Sequence, residues 1–271
     1  MRWTALLLVS LLSWPAMACG PGSDCVMGER TYRIAMPEGV ANPGALVYAH
    51  GYRGTASGAM RNNALIDFAH EQGMAFVAIK SFGDDWHIPG VPADPGTNGA
   101  VELAYIDALM VDLSGLHGID TDNIVMSGFS AGAMMTWFVG CKRGDKFRAF
   151  LPVSGTFWKP IPQAADCPGY PFNLVHIHGT ADQVVPIAGR PIGPTHQGNV
   201  QEALERLIAA GDYDVPSDPD VVMGELACRV GGSPEDRVLG FCTHPGGHSF
   251  KVQHLRAGFE ILRARGALPV P

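Results

Sequence analysis

The residues with the clearest chemical potential form a G-x-S-x-G pentapeptide at positions 128–132 (GFSAG). A serine between small residues, at a turn from strand to helix, is typical of a nucleophile elbow, which exposes the hydroxyl at the edge of a sheet. In a chain with 34 glycines the pattern is weak by itself, and the alternative is a glycine turn with an inert serine. Because an apolar segment precedes it and a helix-forming segment follows, we assign Ser130 as a nucleophile.

A serine hydroxyl becomes nucleophilic when a base removes its proton, so a histidine must reach Ser130. Chains with this elbow order the partners as serine, acid, histidine. His248 follows two glycines on a loop between the last predicted strand and the last predicted helix. His244 ends a strand and His254 lies in a helix, which makes them weaker alternatives. We therefore assign His248 as the general base.

Asp182 is our candidate for the acid that orients this imidazole. It follows the predicted strand 174–177 and precedes a Val-Pro pair. A carboxylate there can accept the Nδ1 proton, select the tautomer and stabilise the imidazolium. The alternative is a turn-capping role. Asp166 and Asp212 are weaker candidates because neither follows a core strand.

The oxyanion that forms when a carbonyl is attacked needs preorganised N–H donors. We expect one from the backbone of Ala131, the residue after the nucleophile, and the other from Tyr52, on a glycine-containing loop after a strand. The aromatic residues Trp86, Phe129 and Trp158 are expected to line the substrate pocket, against the alternative that each only packs in the core.

A metal site is the other chemistry that the histidines suggest. His176 and His178 share one face of a predicted strand, but no third ligand with a consistent spacing supports a metal pair. We therefore expect both imidazoles to be satisfied by hydrogen bonds, and we expect neither a metal nor a cofactor.

Short apolar runs alternate with segments of helical period, which predicts an α/β fold with a mostly parallel sheet covered by helices on both faces. Ligands in such sheets bind outside the carboxyl ends of the strands, where the candidate residues fall. Two irregular stretches, 81–97 and 156–171, are expected to form pocket walls. Strands are predicted at 31–36, 45–49, 74–80, 123–126, 150–153 and 174–177, paired strands at 221–230 and 238–243, and helices at 57–71, 101–113, 131–141, 200–210 and 251–265.

The first 18 residues have the pattern of a cleaved export signal, with Arg2, an apolar segment and small residues at Ala16 and Ala18. Cys19 raises the alternative of a lipoprotein, but Ala16 stands where a lipobox has leucine. We expect residues 19–271 to form a single catalytic domain in a secreted or periplasmic protein.

The net charge of -7 and the lack of a basic cluster argue against nucleic acid or an anionic membrane as partner. Beyond the signal no segment is long and apolar enough to span a membrane. Six cysteines in an exported chain suggest disulfides, with metal binding or free thiols as the alternative. The oligomeric state is not determined by the sequence. Sequence proximity favours the pairs Cys19–Cys25, Cys141–Cys167 and Cys228–Cys242.

Taken together, these residues resemble the polyhydroxybutyrate depolymerase and feruloyl esterase group of α/β-hydrolases. The resemblance implies the α/β-hydrolase fold and cofactor-independent hydrolysis of small or oligomeric carboxylic esters by a Ser–His–Asp triad. It rests on residues 30–33, 50–52, 107–113, 128–132, Cys141, 152–155, 178–182, Val185, Pro186 and 247–248.

The chain also departs from this group. Tyr52 stands where a cysteine or small residue is common, Phe129 lies inside the elbow, and no polymer-adsorption module is visible. These departures favour hydroxyalkanoate oligomers or hydroxycinnamoyl and aryl esters as substrates over crystalline polyester. The alternatives are a serine peptidase or acyltransferase with the same triad, or a non-catalytic binding protein on a hydrolase scaffold.

Overall fold

A computed structural model describes residues 19–271, so the predicted export signal lies outside the described residues. Within this range, ten strands form one sheet and two short strands form a separate ribbon. The strands are Cys25–Met27 (β1), Arg30–Ala35 (β2), Gly44–Ala49 (β3), Met74–Ile79 (β4), Ile124–Phe129 (β5), Ala149–Val153 (β6), Leu174–Gly179 (β7), Pro191–Ile192 (β8), Thr195–His196 (β9), Val221–Met223 (β10), Leu226–Gly232 (β11) and Val238–His244 (β12).

Each helix predicted from the sequence is present, but one of them is divided. The predicted helix 57–71 breaks near Met60, and a second helix begins after Asn62, whose side chain accepts a hydrogen bond from the N–H of Leu65. Asparagine is a strong helix N-cap, which explains the new start. The helices are Ala56–Ala59 (α1), Asn63–Glu71 (α2), Ala100–His117 (α3), Ala131–Arg143 (α4), Val200–Gly211 (α5) and Val252–Ala264 (α6), with 3₁₀ turns at Thr121–Asn123, Gly144–Lys146 and Ala164–Asp166.

The strand order of the sheet is β1-β2-β4-β3-β5-β6-β7-β12-β11-β10. The six central strands, from β4 to β12, run parallel to one another. Antiparallel pairs lie at both edges, where β2 pairs with β4 and β11 pairs with β12. The mostly parallel sheet predicted from the alternation of strands and helices is therefore confirmed.

Helices cover both faces of the sheet because successive residues of the central strands, which point to opposite faces, are mostly apolar and buried. On β3, Val47 packs with residues of α3, α4 and α5, whereas Leu46 packs on the opposite face with residues of α2 and α6. Both side chains have no exposed surface. Burial on both faces is the usual state of parallel strands, and it makes the carboxyl edge a rigid platform.

The disulfide pairs favoured by sequence proximity are confirmed, with Cys19 bonded to Cys25, Cys141 to Cys167 and Cys228 to Cys242. The second bridge ties the last part of α4 to the irregular stretch 156–171. A Cys19 sulfur in a disulfide cannot also carry a lipid thioether, which argues against the lipoprotein alternative. None of the helices in residues 19–271 has the length and apolar character needed to cross a membrane.

Candidate active site

Ser130 is held in a strained turn between β5 and α4. Its backbone has φ 58° and ψ -120°, a conformation that non-glycine residues rarely adopt. The N–H of Ser130 donates a hydrogen bond of 3.0 Å to the carbonyl of Val153 on the neighbouring strand β6. Such strain persists only where the surroundings over-determine the backbone, and it clusters at functional sites.

The glycines that flank Ser130 are required by close backbone packing. A Cβ at Gly132 would overlap the carbonyl groups of Ala49 and His50, at the end of β3. A Cβ at Gly128 would overlap the carbonyl of Gly132. The two glycines therefore let the first turn of α4 approach β3 and β5, which is the physical reason for the G-x-S-x-G pattern.

Asp182 is buried and forms a hydrogen-bonded pair with the partly buried His248. His248 Nδ1 donates a hydrogen bond to Asp182 Oδ2 at 2.7 Å, so Nε2 of the neutral imidazole is left without a proton. The N–H groups of Val184 and Val185 each donate to Asp182 Oδ1 at 2.9 Å. Burial raises the pKa of Asp182, but hydrogen bonds from His178, His248 and Val185 outweigh it and hold that pKa well below its usual range. The carboxylate is therefore ionised at neutral pH.

The imidazole of His248 lies beside the elbow. Its ring centroid is 4.6 Å from the centroid of Phe129, the residue before the serine. Among the hydrogen bonds of residues 19–271, none engages the Ser130 hydroxyl, so the structure does not show a bond from Ser130 to His248. Catalytic hydrogen bonds are often long or misaligned without substrate and tighten in the substrate complex. His248 is thus placed against the residue that precedes Ser130, and no hydrogen bond joins the Ser130 and His248 side chains within the described residues.

Two backbone N–H groups near Ser130 are free to bind an oxyanion. Within the described range, neither Tyr52 nor Ala131 donates its N–H to another backbone group. Ala131 is the first residue of α4, where N–H groups have no partner inside the helix and the helix dipole favours negative charge. Both residues line the same pocket as Ser130. A Cβ at Gly51 would lie 3.5 Å from the Cβ of Ser130, so the Tyr52 loop contacts the elbow.

His50 holds this loop in place. Its Nδ1 donates to the carbonyl of Gly51 at 2.8 Å, and its Nε2 accepts the N–H of Ser81 at 3.2 Å. Burial lowers the pKa of His50 to about 4, although the bond to Gly51 opposes the shift and the charge of Lys80 adds to it. The imidazole is therefore neutral, and it links the loop after β3 to the loop after β4.

Trp86 is placed differently from the sequence expectation. Its side chain is fully buried, and its indole N–H donates to the carbonyl of His50 at 2.9 Å. The ring does not line the pocket with Ser130. A buried indole needs a partner for its N–H, and the carbonyl of His50, just before the loop that carries Tyr52, supplies it. Trp86 thus packs beside the loop that carries Tyr52 and is not part of the wall of the pocket that contains Ser130.

Phe129 is also placed differently, because its ring packs against His248 and Phe250 and not in the pocket. Phe129 is the last residue of β5, and its side chain packs against the core cluster that contains residues of α2 and α6. Trp158, in contrast, lines the pocket that contains Ser130.

The pocket has a volume of about 340 Å³. The two irregular stretches predicted as walls both contribute to it, 81–97 through Asp85 and 156–171 through Trp158. Its walls are mainly apolar, as in most sites for small organic ligands. The lining residues are Tyr52, Asp85, Pro92, Ala93, Ser130, Ala131, Met134, Trp158, Val184, Val185, Ile192 and Gln197.

Sequence reasoning missed several of these residues. Ile192 and Gln197 reach the pocket through the short ribbon of β8 and β9, which has no periodic signal in the sequence. Asp85 lies in an irregular loop, where one of its carboxylate oxygens accepts the N–H of Trp86 at 2.8 Å. Burial raises the pKa of Asp85, although the bond from Trp86 opposes the shift. A carboxyl group in this apolar pocket is suited to bind a hydrogen-bond donor.

Two clusters among residues 19–271 bring metal-ligating atoms close together. In the first, Cys19 and Cys25 are joined in a disulfide and are not available as thiolates. In the second, Glu225 is already bound by the Lys251 ammonium and His254, while His244 Nδ1 accepts the N–H of Gly246 at 3.1 Å. A bond accepted at Nδ1 leaves the proton of His244 on Nε2, so neither cluster offers three ligand atoms that are all free to bind a metal.

Comparison with known proteins adds three relationships. Residues 104–204 match a family model described as Phospholipase/Carboxylesterase. Feruloyl esterase C of Emericella nidulans is 28% identical to this chain over 263 residues, covering 89% of this chain and 87% of the relative. A putative esterase of Nocardia uniformis subsp. tsuyamanensis, NocK, is 27% identical over 218 residues, covering 77% of this chain but 58% of the relative.

Among solved structures, an acetyl xylan esterase from Aspergillus awamori is similar to this chain with a TM-score of 0.63. The match has 18% sequence identity and covers 86% of this chain and 94% of the other. At this identity the match shows a common fold. The arrangement around Ser130 on that fold can supply a nucleophile, a base held in one tautomer and two free N–H donors.

Proposed function

We propose that this chain, an α/β-hydrolase of the esterase group, is a serine carboxylesterase with Ser130 as nucleophile, His248 as general base and Asp182 as the orienting acid. The proposal depends on one observation. The imidazole of His248 is hydrogen-bonded to the buried carboxylate of Asp182 at 2.7 Å and packs beside the strained Ser130 elbow. We further propose that residues 19–271 form one catalytic domain.

In the acylation step, Ser130 Oγ attacks the carbonyl carbon of the ester, and His248 Nε2 takes the hydroxyl proton. The carbonyl oxygen becomes an oxyanion, which the N–H groups of Tyr52 and Ala131 stabilise. When the intermediate collapses, the bond to the alcohol oxygen breaks. His248 returns its proton to the alcohol, and the acyl group remains on Ser130.

In the deacylation step, His248 removes a proton from water, and the water oxygen attacks the acyl carbon. The bond to Ser130 Oγ then breaks, and Ser130 recovers the proton from His248. The carboxylic acid leaves and the enzyme is regenerated. Asp182 stays ionised throughout and stabilises the imidazolium in both steps.

The pocket supports esters whose acyl or alcohol part carries one ring or a short chain. Trp158 and Met134 supply apolar surface, and Asp85 supplies an acceptor for a hydroxyl group. Hydroxycinnamoyl esters and hydroxyalkanoate oligomers both combine an apolar body with a hydroxyl. A feruloyl group is a hydroxycinnamoyl group, so the name of the relative feruloyl esterase C supports the first class.

We also propose that the protein is exported, either secreted or periplasmic. The three disulfides among the described residues support an oxidising compartment. Mass spectrometry of the protein purified from its native host checks this proposal. A mature N-terminus at Cys19 is expected, and a retained leader would contradict it.

Labelling with a fluorophosphonate probe tests the assignment without knowledge of the natural ester. We expect the probe to attach to Ser130. Labelling should be absent in the Ser130→Ala variant and far slower in the His248→Ala variant. Labelling that persists in Ser130→Ala would refute the assigned nucleophile. No labelling of the unmodified protein would favour a non-catalytic binding protein.

Matched substrates separate an esterase from a peptidase. We expect p-nitrophenyl esters to be hydrolysed, and the matched p-nitroanilides to be hydrolysed at least about 1,000-fold more slowly, because an amine is the poorer leaving group. Comparable rates on both series would indicate a peptidase. A panel of hydroxycinnamoyl, acetyl and hydroxyalkanoate esters, compared by kcat/KM, then identifies the acyl group.

A further inference from the structure

Two histidines of β7 lie beneath the site and have no part in the proposed reaction. His176 and His178 have no exposed surface. Trp137 on α4 donates its indole N–H to His176 Nδ1 at 3.0 Å, and His176 Nε2 lies 2.9 Å from His178 Nδ1. His178 Nε2 lies 2.7 Å from the carbonyl oxygen of Val185. The sequence expectation that both histidines are satisfied by hydrogen bonds is confirmed.

The proton positions in this chain follow by elimination. An indole N–H can only donate, so His176 Nδ1 must accept and His176 Nε2 must carry the proton. His178 Nδ1 then accepts a hydrogen bond from His176 Nε2–H, and His178 Nε2–H donates to the carbonyl of Val185. Protonating either ring would place two donors face to face. Burial and the neighbouring His178 lower the pKa of His176 well below its usual range, in agreement with a neutral ring.

The last N–H of the chain points at the loop that holds the catalytic acid. His178 Nε2 is 3.5 Å from Asp182 Oδ2, in addition to its bond to the carbonyl of Val185. The N–H of the same Val185 donates to Asp182 Oδ1. The His178 imidazole therefore holds Val185, whose N–H binds Asp182 Oδ1. The same imidazole also lies close to Asp182 Oδ2.

We propose that Trp137, His176 and His178 form a buried hydrogen-bonded chain that positions the carboxylate of Asp182 for its bond to His248. The indole N–H of Trp137 fixes the tautomers of His176 and His178. His178 then presents one N–H donor on a fully buried ring. The chain acts through Asp182 and does not touch the substrate, so these are positioning residues. The inference rests on the proposed triad, because positioning matters only if Asp182 orients the base.

Two substitutions at His178 separate the donor from the remainder of the side chain. His178→Gln places an amide NH₂ near the former Nε2, so a donor toward Val185 and Asp182 is kept. His178→Asn places its carbonyl near the former Nδ1, so the acceptor for His176 is kept but the donor toward Asp182 is lost. Both variants remove the ring, so a purely structural contribution of its volume is lost in both.

We expect His178→Asn to lower kcat by about 10- to 100-fold with little change in KM, as a small misplacement of a catalytic group does. His178→Gln is expected to recover most of that loss. The rate of fluorophosphonate labelling at Ser130 should follow the same order, because it reports activation of the hydroxyl without any ester. Thermal unfolding of both variants shows whether each is folded.

The proton assignment is tested by ¹⁵N NMR of the histidine rings, which needs no activity. In residue-assigned spectra, His176 and His178 are both expected to carry a proton on Nε2 and none on Nδ1, and Trp137→Phe should disturb both. A protonated Nδ1 on either ring would overturn the proposed chain. Equal labelling rates for folded His178→Asn and His178→Gln would overturn the positioning role. Failure of the unmodified protein to label would instead refute the esterase proposal and leave the NMR result standing.

Discussion

Ala181 donates its backbone N–H to the carbonyl of Gly246 at 3.1 Å, and this bond joins the loop that carries Asp182 to the loop that carries His248. The neighbouring Thr180 N–H donates to the carbonyl of His244 at 2.8 Å. These bonds extend the pairing of β7 with β12 beyond the strand ends. Asp182 and His248 are therefore placed by a continuation of the sheet and not by two independent loops.

Gly179 is the residue on which this close approach depends. A Cβ there would overlap the carbonyl groups of Gly246 and Gly247, whereas a Cβ at Gly247 would lie at an ordinary 3.6 Å from the carbonyl of Ala181. We expect Gly179→Ala to lower kcat by about 10- to 100-fold and to destabilise the fold by about 1–3 kcal/mol. Gly247→Ala is the matched control and should remain near the activity of the unmodified protein. Equal effects of the two substitutions in ester hydrolysis and urea unfolding would contradict this account.

The backbone strain at Ser130 predicts a difference in stability between two variants that lack the hydroxyl group. Because Ser130 has φ 58°, alanine retains the steric cost of this backbone conformation and glycine relieves it. We expect Ser130→Gly to be more stable than Ser130→Ala by about 1 kcal/mol, contrary to the usual order within ordered structure. Guanidinium unfolding of both proteins measures the difference. Greater stability of the alanine variant would show that the elbow relaxes when the hydroxyl is removed.

His50 predicts how stability depends on pH. Its pKa of about 4 in the fold is below the ordinary histidine value of about 6.5, so between these values the unfolded chain binds more protons than the folded one. Stability must therefore fall as the pH drops through this window, by roughly 3 kcal/mol between pH 7 and pH 4 for this residue. Urea unfolding at several pH values should show the loss.

His50→Asn is the control for this pH effect. The variant cannot gain a proton, so its stability should depend less on pH in the same window, even if it is lower at pH 7. His176, whose pKa is also lowered by burial, contributes in the same direction and remains in the control. An unchanged pH dependence in His50→Asn would assign the effect to other groups.

Asp85 predicts a preference for hydroxylated substrates. Its carboxyl group lines the pocket, so an ester with a ring hydroxyl gains a hydrogen bond that the methoxy or unsubstituted ester lacks. A hydrogen bond to a charged group contributes about 1.5–3 kcal/mol, so we expect kcat/KM to favour the hydroxylated ester by about tenfold or more. Asp85→Asn should reduce this ratio. Asp84→Asn, at an exposed neighbour paired with Arg53, should leave it unchanged. A ratio that is the same in all three proteins would exclude recognition by Asp85.

The elements near the site were predictable because their signals are local. Periodicity placed β5 and α4 around Ser130, and the predicted strand 174–177 lies inside β7. Other elements were less visible. The predicted strand 221–230 is interrupted at Gly224, where the backbone has φ 61° and turns β10 back onto β11. The short strands β8 and β9 have too few residues to show a period.

The sequence by itself determined the fold class and predicted the chemistry. Gly128 and Gly132 identify Ser130 as the candidate nucleophile, because the close backbone packing around it admits only glycine at these two positions. The tertiary structure alone decided which side chains come together at the site. It placed Trp86 against the backbone of His50 instead of in the pocket, and it brought Asp85 and Gln197 to the pocket wall. Steric constraints on a tight turn restrict the residue types at neighbouring positions of the sequence. The contacts of a side chain, in contrast, depend on the packing of segments far apart in sequence.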